Sequence, residues 1–87
     1  MDSTGSFPKL LSMKQITASI PRSRASFYKD ISSGLFPTPI KFSTSSFWYQ
    51  DEIAAVMRAR SENQSDEQIR ALIKQLISLR GSRWQQS

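Results

Sequence analysis

Three of the chain's four prolines limit which segments can be helical. Pro21, Pro37 and Pro39 lack the backbone N–H that a helix interior needs, and each favours extended backbone in the residue before it. One helix can therefore end at Pro21 and a second can lie between Pro21 and Pro37. The prolines thus predict two short helices followed by an extended link.

The first helix is indicated by a capping pattern and by periodicity. Ser12, followed three residues later by Gln15, is a capping-box pair whose side chains satisfy the first free backbone N–H groups of a helix. Met13, Ile16 and Ile20 then fall at helical spacing on one face. These signals predict a helix that stops at the first of the three prolines.

The second helix should begin near Ser23, a residue type favoured at the N-cap. Phe27 and Ile31 are four residues apart and should point inward together, and Gly34 lies where a helix C-cap is expected. Only residues 21–23 separate the two helices. Two short helices joined by so tight a turn form a helix-turn-helix arrangement.

A β-hairpin and a third helix are expected after the prolines. Ile40 and Phe42 on one side and residues 47–49 on the other favour β structure, and they flank the polar residues 43–46. A helix should then cover residues 50–61, with acidic residues in its first turn to suit the helix dipole.

The fourth helix has the strongest local pattern in the chain. Ser65 and Gln68 form a second capping box in front of an apolar run. The apolar residues that follow recur at helical spacing and form one stripe; they are Ile69, Leu72, Ile73, Leu76, Ile77 and Leu79.

The order of these elements sets the expected fold class, which is mainly α with a small β-hairpin. Helix, turn, helix, link, hairpin and helix in succession are typical of a winged helix-turn-helix of the MerR/excisionase type, here extended by a C-terminal amphipathic helix. We expect four parts: a flexible N-terminal tail (1–10), a winged helix-turn-helix domain (11–61), the amphipathic helix (62–81) and a tail (82–87).

Positive charge is concentrated in the first half of the chain. The net charge is +5, and residues 9–41 contain six basic residues against one acid, Asp30. Such a segment favours a polyanionic partner, whose phosphates attract it regardless of sequence. A basic face that is merely solvated explains the same charge, so charge alone leaves both interpretations open.

The residue types that are missing exclude several kinds of chemistry. The sequence has no Cys and no His, which removes thiol catalysis, disulfides, the usual zinc sites and imidazole acid–base catalysis. Its three glycines stand apart, so there is no Gly-rich phosphate loop. We therefore expect no enzymatic activity, no cofactor and no metal site.

Membrane association is not expected either. The first 20 residues lack the apolar centre of a signal peptide, and no stretch approaches the ~20 apolar residues that span a bilayer. We expect the protein to stay in the cytoplasm where it is made.

Several short pieces of the sequence form a specific set through their order and spacing. They are Met-Lys-Gln-Ile at 13–16, Arg-Ser-Arg-Ala-Ser-Phe-Tyr-Lys at 22–29, Gly-Leu-Phe-Pro at 34–37, Pro-Ile-Lys-Phe at 39–42, and Trp48 ahead of Glu52-Ile53. Together they resemble the AlpA family of small phage and genomic-island regulators over about residues 11–60. The chain departs from that family at Arg22, which replaces an apolar residue, and in a short hairpin that lacks Gly and Arg.

This resemblance implies a DNA-binding protein of a mobile element. AlpA-like proteins are associated with excision of islands and prophages, either by bending attachment-site DNA beside an integrase or by activating the integrase gene. We expect a sequence-specific double-stranded DNA-binding protein that acts as an excisionase (a recombination directionality factor), as a transcriptional regulator of an integrase gene, or as both. Its expected partners are duplex DNA and an integrase.

The helix-turn-helix arrangement indicates which residues would contact DNA. The second helix of this motif enters the major groove, with its N-terminal residues facing the base edges, which assigns residues 23–33 to that role. Arg24 is the expected base reader because a guanidinium suits the guanine edge. The full set of candidates is Lys14, Arg22, Ser23, Arg24, Ala25, Ser26, Tyr28, Lys29, Lys41 and Thr44.

Five of these candidates also have a structural explanation. Ser23 serves as an N-cap whether or not it meets a phosphate, and the ring of Tyr28 could close the core instead. Lys41 could protect a strand edge against aggregation. Lys14 and Lys29 could be ordinary surface lysines.

The role of the last helix is left open by the sequence. Its stripe could pack back onto the rest of the chain, or it could mediate self-association through Ile69, Leu72, Ile73, Leu76 and Ile77. A helix that needs a hydrophobic surface also suits a protein-interaction adaptor or antitoxin-like module. That is the alternative function that the sequence allows.

Overall fold

The computed structural model describes residues 8–83, which form helices around a small antiparallel sheet. The predicted fold class, mainly α with a β-hairpin, is confirmed at this level. The elements in chain order are β1 (Leu10–Ser12), α1 (Met13–Ser19), α2 (Arg24–Ser32), β2 (Ile40–Phe42), β3 (Ser45–Tyr49), α3 (Gln50–Ser61), α4 (Asp66–Ser78) and α5 (Arg80–Arg83).

Both capping boxes form as predicted. At the start of α1 the Gln15 backbone N–H donates to Ser12 Oγ at 3.2 Å, and the Ser12 N–H donates to Gln15 Oε1 at 2.9 Å. Ser65 and Gln68 repeat the exchange at the start of α4, at 3.2 and 2.8 Å. Each box satisfies two backbone donors that have no partner within the helix, so these helix starts are set locally.

The sheet has a third strand that the sequence pattern did not predict. The strand order is β1-β3-β2, with Leu10 opposite Tyr49, and the Gln50 N–H donates to the carbonyl of Lys9 at 2.9 Å. The prediction of a tail over residues 1–10 is therefore wrong at Lys9 and Leu10, whereas residues 1–7 lie outside the described residues. A three-residue strand shows no period of its own, and its partner lies far along the chain.

One core cluster joins the first two helices to the sheet. The Phe27 ring of α2 lies 5.1 Å from the Phe36 ring, and Phe36 lies 6.3 Å from Trp48 of β3. Trp48 is fully buried, and its indole N–H donates to the Pro37 carbonyl at 2.7 Å. Met13, Ile16 and Ile53 complete the cluster.

A second cluster is formed by α3 and α4. Val56 and Ala59 of α3 pack against Ile69 and Ile73 of α4, and all four are buried. Helix α4 therefore packs back onto its own chain, which was one of the two roles left open for it. Ile69 and Ile73 cannot contact a second copy while this packing persists. The other three residues named for self-association remain partly exposed.

The expected domain boundary placed the end of helical structure at residue 81, but helical structure continues beyond it. The last residue of α4 is Ser78, with Leu79 at the C-cap, and the short helix α5 follows directly and extends to Arg83. Residues 84–87 of the expected C-terminal tail lie outside the described residues.

A buried ion pair explains why α5 is held in place. Arg80 Nε and Nη2 donate to the two carboxylate oxygens of Glu52 at 3.1 and 2.7 Å. Arg80 Nη2 also donates to the Thr38 carbonyl at 2.8 Å, and its guanidinium lies 5.7 Å from the centre of the Tyr49 ring. The side chain of Glu52 is 2% exposed, so Arg80 supplies the partner that its buried charge needs.

We expect Arg80→Ala to lower the free energy of unfolding by about 3 kcal/mol, because it leaves the Glu52 carboxylate buried without its partner. Urea denaturation followed by circular dichroism measures this. The matched control is Arg58→Ala, which removes an exposed pair with Glu62 and should cost at most about 0.5 kcal/mol. Equal effects of the two substitutions would contradict a stabilising role for the buried pair.

Candidate nucleic-acid interface

The start of α2 is fixed by two serines. The Ser26 backbone N–H donates to Ser23 Oγ at 3.1 Å, and Ser23 Oγ donates to Ser26 Oγ at 3.0 Å. The N-cap prediction for Ser23 is confirmed. The serines sit at the positive end of the helix dipole, beside backbone amides that suit an anion.

The two faces of α2 divide between core and solvent as the periodicity predicted. Phe27 is 1% exposed and points into the core cluster, whereas Arg24, Ala25 and Lys29 are exposed. Tyr28 is 42% exposed, so its ring does not close the core. Phe27 belongs to the core cluster, whereas Tyr28 belongs to neither cluster of the described residues.

The other end of α2 is held by a contact that the sequence did not predict. Arg70 of α4 donates from Nε to the Ser33 carbonyl at 2.8 Å, and so places a positive charge at the helix C-terminus. Gly34 follows with a φ of +77°, and the Arg70 side chain lies 3.6 Å from where a Cβ would stand there. This bond ties α4 to the C-terminal end of α2, and no local signal could have indicated a contact between residues so far apart in the chain.

Arg22 is engaged within its own chain. Its guanidinium forms an ion pair with Asp30 and lies 5.5 Å from the centre of the Phe27 ring. The side chain of Asp30 is only 16% exposed. Arg22 therefore has a structural role that competes with its predicted role as a DNA contact. The sequence did not indicate this ion pair, because its two residues are eight positions apart, one in the turn and the other in the helix.

The two candidates on the hairpin lie at its turn end. Lys41 of β2 is exposed and donates from Nζ to Ser46 Oγ at 3.1 Å. Phe42 pairs with Ser45, so Thr44 lies in a two-residue turn with Ser43, which has a φ of 59°. The turn is thus shorter than the polar link 43–46 suggested, because Ser45 and Ser46 belong to β3.

Four cations on α1, α2 and β2 are exposed and free of ion pairs within the described residues. They are Lys14, Arg24, Lys29 and Lys41. The one acid of the basic segment, Asp30, is neutralised by Arg22. We call Arg24, Lys29, Lys14 and Lys41, with Ala25 and Tyr28, the basic surface.

The chemistry available on the basic surface is that of hydrogen-bond donation and positive charge. The described residues contain no cluster of three acidic side chains that could hold a metal ion. None of the helices within residues 8–83 combines the length and apolar character that crossing a bilayer requires. Cations beside a helix N-terminus suit a polyanionic ligand.

Comparison with known proteins adds no relative. No protein-family model matches this sequence, and no curated protein or solved structure matches it significantly. The case for a function therefore depends on the residues and contacts described above, together with the sequence resemblance.

We expect Arg22→Ala to lower the free energy of unfolding by about 1 kcal/mol, because Asp30 loses its partner and Phe27 loses a covering group. Thermal denaturation of Arg22→Ala and Arg24→Ala side by side tests this. Arg24 has no ion pair within the described residues, so its removal should change stability by less than about 0.5 kcal/mol. If Arg24→Ala destabilised the protein more than Arg22→Ala, the assignment of the two roles would be reversed.

Proposed function

We propose that the chain is a winged helix-turn-helix protein that binds double-stranded DNA sequence-specifically. The observation that carries this proposal is the exposed N-terminal half of α2, where Arg24 has no ion pair within residues 8–83 and Ser23 caps the helix start. A capped helix with an unpaired arginine near its start suits insertion into a major groove. The opposite face of the helix carries Phe27 and is not available for binding.

Base reading is assigned to the first turns of α2. Arg24 offers two parallel donors to the O6 and N7 acceptors of a guanine, a pairing that distinguishes guanine from the other bases. Ala25 is adjacent and small enough to meet a thymine methyl group. Tyr28 lies one turn further along, and its hydroxyl can reach a base edge or a phosphate.

Phosphate contacts are assigned to three exposed lysines. Lys29 of α2, Lys14 of α1 and Lys41 of β2 are exposed cations on three different elements. Contacts of this kind position a protein on the duplex and supply affinity without sequence information. Ser23 and Ser26 can add hydrogen bonds to the phosphate backbone of the DNA, although both hydroxyls already form hydrogen bonds within the chain.

The biological role follows from the resemblance to AlpA proteins. We propose a protein of a prophage or genomic island that acts as an excisionase, as a regulator of an integrase gene, or as both, with no enzymatic activity of its own. It would work in the bacterial cytoplasm on chromosomal DNA. The alternative of a protein-interaction adaptor has less support, because α4 already buries Ile69 and Ile73 against α3.

We expect Arg24→Ala to weaken binding to a specific site by about 1–3 kcal/mol while random duplex binds as before, because the lost contacts are to a base. Fluorescence anisotropy on a duplex enriched by the wild-type protein from a random-sequence pool measures both affinities. Arg58→Ala removes an exposed arginine from α3 and is the matched control. An equal loss on specific and random duplexes would show that Arg24 contacts phosphate only.

Lys29→Ala should weaken all duplexes about equally and reduce the slope of log K against log salt by about 1, since it removes one phosphate contact. Titrations at several salt concentrations measure that slope. Lys74→Ala, an exposed lysine on α4, is the control and should leave the slope unchanged. Identical slopes for wild type and Lys29→Ala would remove Lys29 from the interface.

A further inference from the structure

The hairpin carries an aromatic ring that the fold does not use. Phe42 is 74% exposed, far more than the other exposed large hydrophobic residues of the described chain, and it belongs to neither core cluster. It is the last residue of β2 and directly precedes the Ser43–Thr44 turn. A ring in this position projects from the tip of the hairpin.

The surroundings of Phe42 favour a polyanionic ligand. Residues 31–50 contain no acid and a single base, Lys41, which is the neighbour of Phe42. The turn beyond it is made of hydroxyl side chains, which donate to phosphate and base acceptors. A ring bordered by a cation and hydroxyl groups, with no carboxylate nearby in the sequence, matches the chemistry of a nucleic-acid groove.

The strands hold this tip rigidly. Ile40 of β2 lies opposite Phe47, both are partly buried, and Lys41 is bonded to Ser46. The next residue of β3, Trp48, is fixed in the core by its bond to Pro37. The hairpin can therefore keep its structure when the ring contacts a ligand.

We propose that Phe42 is a wedge that enters the minor groove beside the α2 site and partly unstacks one base step, which kinks the duplex. The inference rests on the proposed function, because the basic surface must first hold the duplex. Apolar side chains that enter the minor groove kink DNA towards the major groove, and the unstacking they cause is offset by the larger protein surface that the bent duplex contacts. Flexible pyrimidine–purine steps, TA and CA/TG, are the preferred insertion points.

Two optical signals on one duplex test the wedge. A duplex of about 30 base pairs, enriched by the wild-type protein from a random pool, carries a donor and an acceptor dye at its ends, so that bending raises energy transfer. A second version carries 2-aminopurine at each TA or CA/TG step in turn, and its fluorescence rises where a step is unstacked.

Phe42→Ala should abolish the bend and the 2-aminopurine signal and weaken binding about tenfold, equivalent to about 1.4 kcal/mol. Phe42→Leu should retain most of both signals, since leucine also serves as an apolar wedge. The control is Leu79→Ala, which removes another exposed apolar side chain at the end of α4, 50% exposed, and should change nothing. Because Phe42 is mostly exposed, its replacement leaves the core intact.

The outcomes separate this inference from the proposed function. If wild type and Phe42→Ala bind specifically with the same bend and the same fluorescence, the wedge is wrong and the DNA-binding proposal stands. If the wild-type protein enriches no duplex from the pool, both fail. If Phe42→Ala instead changes the sedimentation coefficient of the free protein, the ring belongs to a contact between copies and the wedge is likewise overturned.

Discussion

The hydrogen bond from the Trp48 indole to the Pro37 carbonyl is the contact on which the arrangement of the molecule depends. It fixes the proline link against the sheet in a fully buried setting, where an unpaired donor would cost about 1–3 kcal/mol. The link in turn carries Phe36, whose ring lies between Trp48 and Phe27. Helix α2 and the hairpin are thereby joined through one line of aromatic rings, and this line sets the distance between the two elements proposed to contact DNA.

A second principle of the structure is the separation of paired from unpaired charge. Arg80 neutralises the buried Glu52 and Arg22 neutralises Asp30, so two arginines are used to stabilise the fold. The cations that remain on α1, α2 and β2 form no ion pair within the described residues, and their charge is available to a ligand. The net charge of +5 is therefore a poor guide by itself, because what matters for binding is which cations the fold leaves unpaired.

How far the sequence predicted this structure depends on how local each interaction is. The N-cap at Ser23 and the inward position of Phe27 were predictable, because each follows from residues within one or two helical turns. The strand at Leu10 and the buried ion pair at the C-terminus were not, because their partners lie far along the chain. The candidate DNA contacts on α2 are placed at the surface as periodicity requires, whereas the pairing of Arg22 with Asp30 appears only once the turn before α2 is built.

Competitive binding by the wild-type protein shows whether the basic surface reads a DNA sequence. Labelled duplexes from the attachment region and the integrase promoter of the element that encodes the protein are titrated at ~150 mM salt against unlabelled random duplex. If the surface reads sequence, one of these fragments is retained at random-competitor excesses of about a thousandfold, a ratio typical of specific recognition. Displacement of both fragments by an equal amount of random duplex would contradict sequence reading, and would reduce the basic surface to a non-specific one.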